Sequence, residues 1–448
     1  MIVDLSHPVG LSVNDGIDKS HCSLTYLKLD QVAETVMKLG RGAMLAKIDT
    51  QSAYRVIPVH PQDRTLLGMK WQGNVYVDAA LPFGLRSAPK IFNAVADALE
   101  WIVHNRGVRF VMHYLDDFII VGAPESSECG EGMDTLVHTC DTVGLPLVPE
   151  KCEGPTCRIV YLGIEIDSNT MCMRLPREKL NRLVNEISKW SCRKACTRSE
   201  LQSLTGQLQH AAVVVKPGRT FLRRMYDLLK VGTGGGKRTP PGSQHLRLNM
   251  EFRSDLAWWS QFLCNWNGVS LLTATNSRQP DAAITSDASG SWGCGAYWGS
   301  QWLQWQWDQF AQDKSIAVKE LLPIIFAAAL WGKEWRGWCV LCRCNSQAVV
   351  AVINTRSSHD KDIMHLLRVL FFIEAHFDFM TKAVHIPGAE NKIADDISRN
   401  RSISLSCQVL TTTPAPIPEE LINLLIRQQP DWTCNAWTRM FSSIFNKD

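Results

Sequence analysis

The 448-residue sequence has no long apolar run, and no basic segment followed by an apolar one at its N-terminus. A membrane-spanning helix needs roughly 20 consecutive apolar residues. The longest candidates, such as 324–331, are half that length or less. A secretory signal would need the basic and apolar segments that are missing here. We therefore expect an intracellular protein of the cytoplasm or nucleus that is not secreted and has no membrane partner.

Charged residues make up only 20% of the chain, against 45% apolar residues, which excludes intrinsic disorder and a coiled coil as descriptions of the whole. The 15 cysteines are an odd number and are scattered, so we expect reduced thiols rather than a disulfide framework. At about 150 residues per domain, the length predicts about three domains.

The net charge is only +3, but it is unevenly distributed. Residues 174–253 contain 17 Lys and Arg against 5 Asp and Glu, a local charge of +12, which leaves −9 for the rest. A central basic segment of this kind attracts a phosphate backbone. A solvated helix surface gives the same pattern, and charge alone does not separate the two.

Four regions follow from changes in composition, and they predict a multidomain protein of the α/β and α+β classes. Residues 1–173 mix short β-rich runs with a clear helix. Residues 174–279 form the second region, which is basic and helical as far as about residue 230 and has a Gly/Pro-rich linker near 231–243. Residues 280–400 alternate strands and helices as an α/β domain does, and residues 401–448 are predicted to be a linker and tail.

Three carboxylates in the first region form the sharpest local pattern. Two apolar runs meet at Asp116 and Asp117, which predicts a hairpin with both acids at its tip. A short strand ends at Asp49, 67 residues earlier. Taken alone, an Asp-Asp turn is ordinary solvated turn chemistry. Acids from separate strands, however, are what two metal ions in a phosphoryl-transfer site require.

The chain resembles a reverse transcriptase. The sequences of the segments Leu81–Pro89 and Tyr114–Asp117 are similar to those of DIRS-type retrotransposons, which use a tyrosine recombinase. The resemblance spans about residues 1–440. It implies a right-hand-like polymerase of fingers, palm and thumb, with residues 174–279 as thumb and connection. It also implies RNA-directed DNA polymerase activity on an RNA template and DNA primer with dNTPs.

By this resemblance, Asp49, Asp116 and Asp117 hold two Mg²⁺ (or Mn²⁺) ions. The remaining matches concern nucleotide and primer–template contacts: Tyr54 excludes a ribose 2′-OH, Phe83 and Gly84 lie by the template and nucleotide, Lys151 is a proton donor to pyrophosphate, and Tyr161, Leu162 and Gly163 form the primer grip.

A second set of acids lies in the α/β region, with Asp287 on a strand and Glu320 and Asp395 on helices. Their order resembles ribonuclease H, which implies a metal site that cuts the RNA of an RNA–DNA hybrid. Asp396 remains an alternative to Asp395. One further acid is expected where this sequence has Asn345. An amide lacks the negative charge, so we expect weak or absent ribonuclease activity.

Two features favour a different kind of function. In the family the fingers begin before the segment that is Met1–Ser6 here, so we expect truncated fingers. In addition, Asn345 removes a negative charge from the second set of acids. The alternative is a decayed or repurposed element copy that binds nucleic acid without catalysis. The oligomeric state and the priming mechanism are left open by the sequence.

Overall fold

The computed structural model describes residues 4–231, 245–265, 269–270, 279–401, 410 and 413–427. Contacts divide the chain into two units that meet in sequence between Met173 and Arg174. The expected mixed α/β, multidomain class is confirmed. The predicted Gly/Pro-rich linker from residue 232 to 243 and the tail beyond 427 lie outside the described residues. None of the described helices is both long and apolar enough to cross a membrane.

The first unit is built on a four-stranded antiparallel sheet of order β4-β5-β1-β6. Two hairpins, β2–β3 and β7–β8, lie outside this sheet. The elements are β1 (Met44–Asp49), β2 (Gly68–Trp71), β3 (Asn74–Val77), β4 (Val111–Tyr114), β5 (Asp117–Gly122), β6 (Glu153–Thr156), β7 (Arg158–Tyr161), β8 (Ile164–Asp167), β9 (Cys172–Arg174), α1 (Leu29–Leu39), α2 (Ala88–Asn105) and α3 (Glu128–Val143).

The core of the first unit lies between this sheet and helices α2 and α3. Phe92 and Leu99, seven residues apart on α2, are buried together with Phe118 and Ile120 of β5 and Leu136 of α3. This spacing is two helical turns, so the buried side chains lie on one face of α2. The packing fixes the central strands β1 and β5, whose ends carry the acids predicted to be catalytic.

The second unit contains a helical part followed by an α/β part. Its elements are α4 (Arg177–Ser191), β10 (Ala195–Thr197), α5 (Arg198–Ala211), α6 (Arg223–Val231), β11 (His245–Arg247), α7 (Met250–Asn265), β12 (Val269–Ser270), β13 (Ala282–Ala288), β14 (Gly293–Trp298), β15 (Gln301–Gln306), α8 (Gln309–Gln312), α9 (Ile316–Trp331), β16 (Cys339–Cys344), α10 (Gln347–Thr355), α11 (Lys361–Phe377), β17 (Met380–His385), α12 (Lys392–Ser398) and α13 (Glu419–Ile422).

The α/β part has a five-stranded sheet of order β15-β14-β13-β16-β17. Strands β13, β14 and β15 are antiparallel neighbours, whereas β16 and β17 run parallel to β13. The predicted alternation of strands and helices over 280–400 is confirmed, with the short helix α8 as an addition. This order places β13, which carries Asp287, at the centre of the sheet.

The described part of the tail, 413–427, packs against the α/β part. The backbone N–H of Ala415 donates to the Trp302 carbonyl at 2.8 Å. Leu421 and Leu424 are buried, and Arg427 forms an ion pair with Asp308 at 2.7 Å. This segment of the predicted linker and tail is therefore held by apolar burial and by a charge pair.

Candidate functional sites

The first candidate site is the turn between β4 and β5. Tyr114 and Asp117 are register partners, which leaves Leu115 and Asp116 as a two-residue turn. The prediction that both acids occupy the tip is corrected, because Asp117 begins strand β5. Leu115 has φ of 55°, a left-handed conformation that is unusual for a bulky residue. Backbone strain of this kind is often found at functional sites.

Asp49 faces this turn from the neighbouring strand. It is the register partner of Asp117 across β1 and β5. The backbone N–H of Thr50, the next residue, donates to the Asp116 carbonyl at 3.1 Å. Asp49, Asp116 and Asp117 therefore meet at one end of two adjacent central strands, as the sequence predicted.

The electrostatics of this cluster favour a cation. Burial, followed by the charges of Asp116 and Asp49, raises the pKa of Asp117 to about 6. Burial and the charge of Asp49 also raise the pKa of Asp116. The Lys151 ammonium lies 3.1 Å from Asp49 Oδ2, and this hydrogen bond raises the pKa of Lys151. Three oxygen-donor carboxylates that repel one another suit a hard divalent ion.

The segment predicted to meet the nucleotide lies beside the acids. The Tyr54 ring packs on that of Phe83, with 5.1 Å between centroids. Burial and, secondarily, the charge of Asp116 raise the pKa of Tyr54. Gly84 has φ of 96°, and its carbonyl accepts a hydrogen bond from Asn14 Nδ2 at 2.8 Å.

Asn14 was missed by the sequence reasoning. It is 3% exposed, and besides the Gly84 carbonyl it binds the backbone N–H of Arg86, which donates to Asn14 Oδ1 at 2.7 Å. These two hydrogen bonds hold the backbone on both sides of Leu85, in the nucleotide loop that contains the predicted nucleotide-contacting residues Phe83 and Gly84. An isolated Asn carries no signal for such a contact 70 residues away in sequence.

The predicted primer grip is a turn that contacts the acidic site. Leu162 and Gly163 connect β7 to β8 with φ of 47° and 73°. Tyr161 is 2% exposed, and its hydroxyl donates to the Asp117 carbonyl at 2.9 Å. Burial is the main cause of a raised pKa at Tyr161, so the phenol stays protonated and able to donate. The β7–β8 hairpin is thus bonded directly to the strand that carries Asp117.

The second candidate site surrounds Asp287 on β13, which is 2% exposed. Both of its oxygens accept hydrogen bonds. Asn345 Nδ2 donates to Oδ1 at 2.9 Å and Asn391 Nδ2 to the same oxygen at 3.1 Å. Ser398 Oγ donates to Oδ2 at 2.7 Å. The Asn345 amide is therefore hydrogen-bonded to Oδ1 of Asp287, the carboxylate that the resemblance to ribonuclease H implies is a metal ligand.

The other predicted acids of this site are also engaged or neutral. Burial, and then the charge of Asp287, raises the pKa of Glu320 to about 8, so this carboxyl is largely protonated at neutral pH. Asp395 accepts from Arg399 Nε at 2.6 Å and from Arg401 at 3.3 Å. Asp396 has a longer contact of 4.0 Å with Arg401.

The two sites differ in how well they suit a divalent ion. No three His, Cys, Asp or Glu side chains within the described ranges are already grouped as metal ligands. At Asp49, Asp116 and Asp117 the donor set is anionic and mutually repulsive, which a cation would relieve. In the second site Asp287 accepts from two amides and a hydroxyl, and Asp395 accepts from two guanidinium groups, whereas the buried Glu320 Oε2 has no hydrogen-bond partner. Two of the three carboxylates are therefore already bonded to protein donors.

The part of the chain that carries the first site matches a known family model. Residues 13–166 match the family model described as reverse transcriptase (RNA-dependent DNA polymerase), so this part of the chain is similar to that family. The matched span contains Asp49, the Leu81–Pro89 segment and the Asp116–Asp117 turn.

Relatives are polyproteins of mobile elements and viruses. The retrovirus-related Pol polyprotein from transposon gypsy of Drosophila melanogaster is 23% identical, over 81% of this chain and 33% of that protein. Polyprotein P3 of Commelina yellow mottle virus is 21% identical, over 81% of this chain and 18% of that protein. The Tf2-3 polyprotein of Schizosaccharomyces pombe is 21% identical, over 83% and 26%. The chain therefore spans a third or less of each relative.

The solved structures that resemble this chain include foamy viral protease–reverse transcriptase. Its complex with double-stranded DNA is 14% identical, with a TM-score of 0.48, over 86% of this chain and 62% of that chain. Its complex with an RNA/DNA hybrid is also 14% identical, with a TM-score of 0.42, over 84% and 47%.

Proposed function

We propose that this chain is the RNA-directed DNA polymerase part of a retrotransposon polyprotein, of the DIRS type by the wording of its two central motifs. The observation that carries the proposal is the meeting of Asp49, Asp116 and Asp117 at one end of adjacent strands. A pair of Mg²⁺ or Mn²⁺ ions bound there would activate the primer 3′-hydroxyl and stabilise the leaving pyrophosphate. The three carboxylates would hold these ions.

The surrounding residues supply orientation and proton transfer. Tyr54, packed on Phe83, forms the wall beside the sugar of an incoming dNTP. Gly84, held by Asn14, keeps the backbone of the nucleotide loop in place. Tyr161 fixes the primer-grip turn against the strand of Asp117. Lys151 has the charge and position to donate a proton to pyrophosphate.

A dual-label gel assay tests the polymerase proposal. A DNA primer on an RNA template, each strand with its own label, is incubated with Mg²⁺ and four dNTPs. We expect a longer primer. Retention of the duplex with no extension would contradict the polymerase and favour the alternative, a nucleic-acid-binding element copy without catalysis.

Replacing Lys151 by Gln should lower kcat for nucleotide addition about 100-fold, the usual contribution of a positioned general acid. The variant retains the hydrogen-bonding side chain but loses the transferable proton. Single-turnover extension measures kcat, and Lys90→Gln, an exposed lysine on α2, is the matched control. Equal rates for Lys151→Gln and the control would refute the proton-donor role.

We further propose that the basic segment binds the primer–template duplex. Helices α4 and α5 form a cavity of about 480 Å³, whose lining includes Lys179, Arg182, Gln207 and His210. Lys179 and Arg182 are one helical turn apart, and burial together with the charge of Arg182 lowers the pKa of Lys179. Two neighbouring cations beside an open cavity suit a phosphate backbone.

The double change Lys179→Gln and Arg182→Gln should weaken duplex binding and make it less dependent on salt. Each lost phosphate contact reduces the slope of log K against log salt by about 0.9 on DNA, so a drop of roughly 2 is expected. Fluorescence anisotropy at several KCl concentrations measures this slope. The double change Lys333→Gln and Arg336→Gln outside the segment is the control, and an unchanged slope in the test variant would exclude this surface.

For the ribonuclease H-like part we propose binding of an RNA–DNA hybrid with little or no cleavage. The specific observation is the Asn345 amide bonded to Asp287 where the family has a further acid. With an amide at position 345 and Asp395 held by two arginines, the residues present a weaker anionic set than hydrolysis needs. An intact template label in the same gel assay is the expected result.

A further inference from the structure

A buried histidine lies just behind the turn of Asp116 and Asp117. His113 on β4 is 9% exposed and is the register partner of Phe118. The two rings pack with 5.3 Å between centroids. His113 Nδ1 lies 2.5 Å from Glu100 Oε2, and Nε2 lies 3.4 Å from Asp97 Oδ1. Both acids are on α2, so a single ring joins the strand to two carboxylates of the helix.

Both ring nitrogens of His113 face a carboxylate of α2. Asp97 is 64% exposed and Glu100 is 35% exposed, whereas the His113 side chain is 7% exposed. Asn93 Nδ2 also donates to Asp97 at 2.9 Å. The Glu100 charge also contributes, after burial and the charge of Asp117, to the raised pKa of Tyr161.

The connection between this histidine and the acids is short. Only Tyr114 and Leu115 separate His113 from Asp116, and the turn that they enter is limited to two residues. Because this connection is so short, a displacement of β4 relative to α2 would also displace Asp116. On the opposite side, the Tyr161 hydroxyl holds the Asp117 carbonyl.

We propose that His113 is a positioning residue for the polymerase reaction. Its ring joins β4 to Glu100 and Asp97 of α2 and thereby fixes the spacing of Asp116 and Asp117 from Asp49. The inference rests on the proposed polymerase function, but it concerns residues that would not touch the substrate or the metal ions.

Kinetics give the first test. His113→Gln should lower kcat for nucleotide addition about 10- to 100-fold, since small misplacements of reacting groups have effects of this size. KM for dNTP and Kd for the duplex should stay within about twofold. Glu100→Gln should have a weaker effect in the same direction, and the double variant should be no slower than His113→Gln, because the two residues act through one contact. His138→Gln, exposed on α3, is the matched control.

Hydrogen exchange gives a second test that needs no activity. In His113→Gln, amides of β4 and β5 should exchange at least about tenfold faster, whereas those of β13 and β16 should not change. If the native chain fails to extend a primer, the polymerase proposal fails and exchange still decides the positioning role. Unchanged exchange in β4 and β5, a uniform increase throughout the chain, or a normal kcat in an active protein would each overturn the inference.

Discussion

Replacing Asp116 and Asp117 together by Asn should abolish primer extension, with a loss of at least about a thousandfold. Metal-held phosphoryl transfer draws several kcal/mol of transition-state stabilisation from its ligands, and each 1.36 kcal/mol is a factor of ten in rate. The double variant retains the shape of the turn while removing two of its three charges. Binding of the duplex, measured by anisotropy, should be within a few-fold of the native value.

The same variant should be more stable than the native protein when no divalent ion is present. A carboxyl group with a raised pKa holds its proton more tightly in the folded state. The protonated Asp117 carboxyl therefore stabilises the folded state fully below its ordinary pKa of 3.8. This stabilisation is lost as the pH rises through about 6, the pKa of Asp117 in the folded protein. Thermal unfolding in EDTA should show this loss between pH 4 and 7 in the native chain and much less of it in the variant.

Asp134→Asn, at an exposed position on α3, is the control for both measurements. It removes a carboxylate from the same unit without touching the cluster. Extension by the double variant at more than a tenth of the native rate would rule out these acids as the catalytic set. A variant that fails to bind the duplex would indicate a damaged fold, and Asp49→Asn alone would then be measured for the loss of extension.

Replacing Asn345 by Asp should convert the second site into one that responds to metal ions. Without divalent ions the new carboxylate at the exposed position 345 would face the buried Asp287, replacing a hydrogen bond by a like-charge contact. We expect a loss of about 2 kcal/mol or more, which corresponds to roughly 4–8 °C in Tm for a unit of this size. Millimolar Mg²⁺ should restore Tm, because an ion that binds only the folded state stabilises it.

Cleavage of the RNA strand in a labelled hybrid should rise at least about tenfold in Asn345→Asp, since the variant regains the missing negative charge. Asn185→Asp, exposed on α4, makes the same chemical change away from the site and should show neither the loss of Tm nor the response to Mg²⁺. Unchanged cleavage together with a metal-independent Tm in Asn345→Asp would contradict the proposed cause of the weak activity.

The sequence predicted the features that depend on local order along the chain. Strand β1 ends at Asp49, the hairpin turns before Asp117, and the α/β part has its predicted alternation. Such features follow from hydrophobic periodicity and turn chemistry. The short helix α8 was missed because a four-residue helix leaves no periodic pattern.

Contacts between residues far apart in sequence could not be predicted in the same way. Asn14 binds the Gly84 carbonyl, and His113 reaches Asp97 and Glu100, only because tertiary packing brings them together. Asn345 was identified as the departure from the family pattern, but its bond to Asp287 required the sheet order that places β13 beside β16. Hydrogen-bond partners of single polar residues thus depend on topology, which composition and spacing do not specify.

The packed tail segment extends the C-terminal part of the fold beyond residue 400. The sequence pattern of strands and helices ends near residue 400, but residues 413–427 still pack on the α/β part. Leu421 and Leu424 bury apolar surface there, and Arg427 forms an ion pair with Asp308. A chain cut at residue 400 would leave this apolar surface exposed to water. The shortest unit that keeps this surface covered therefore includes residue 427.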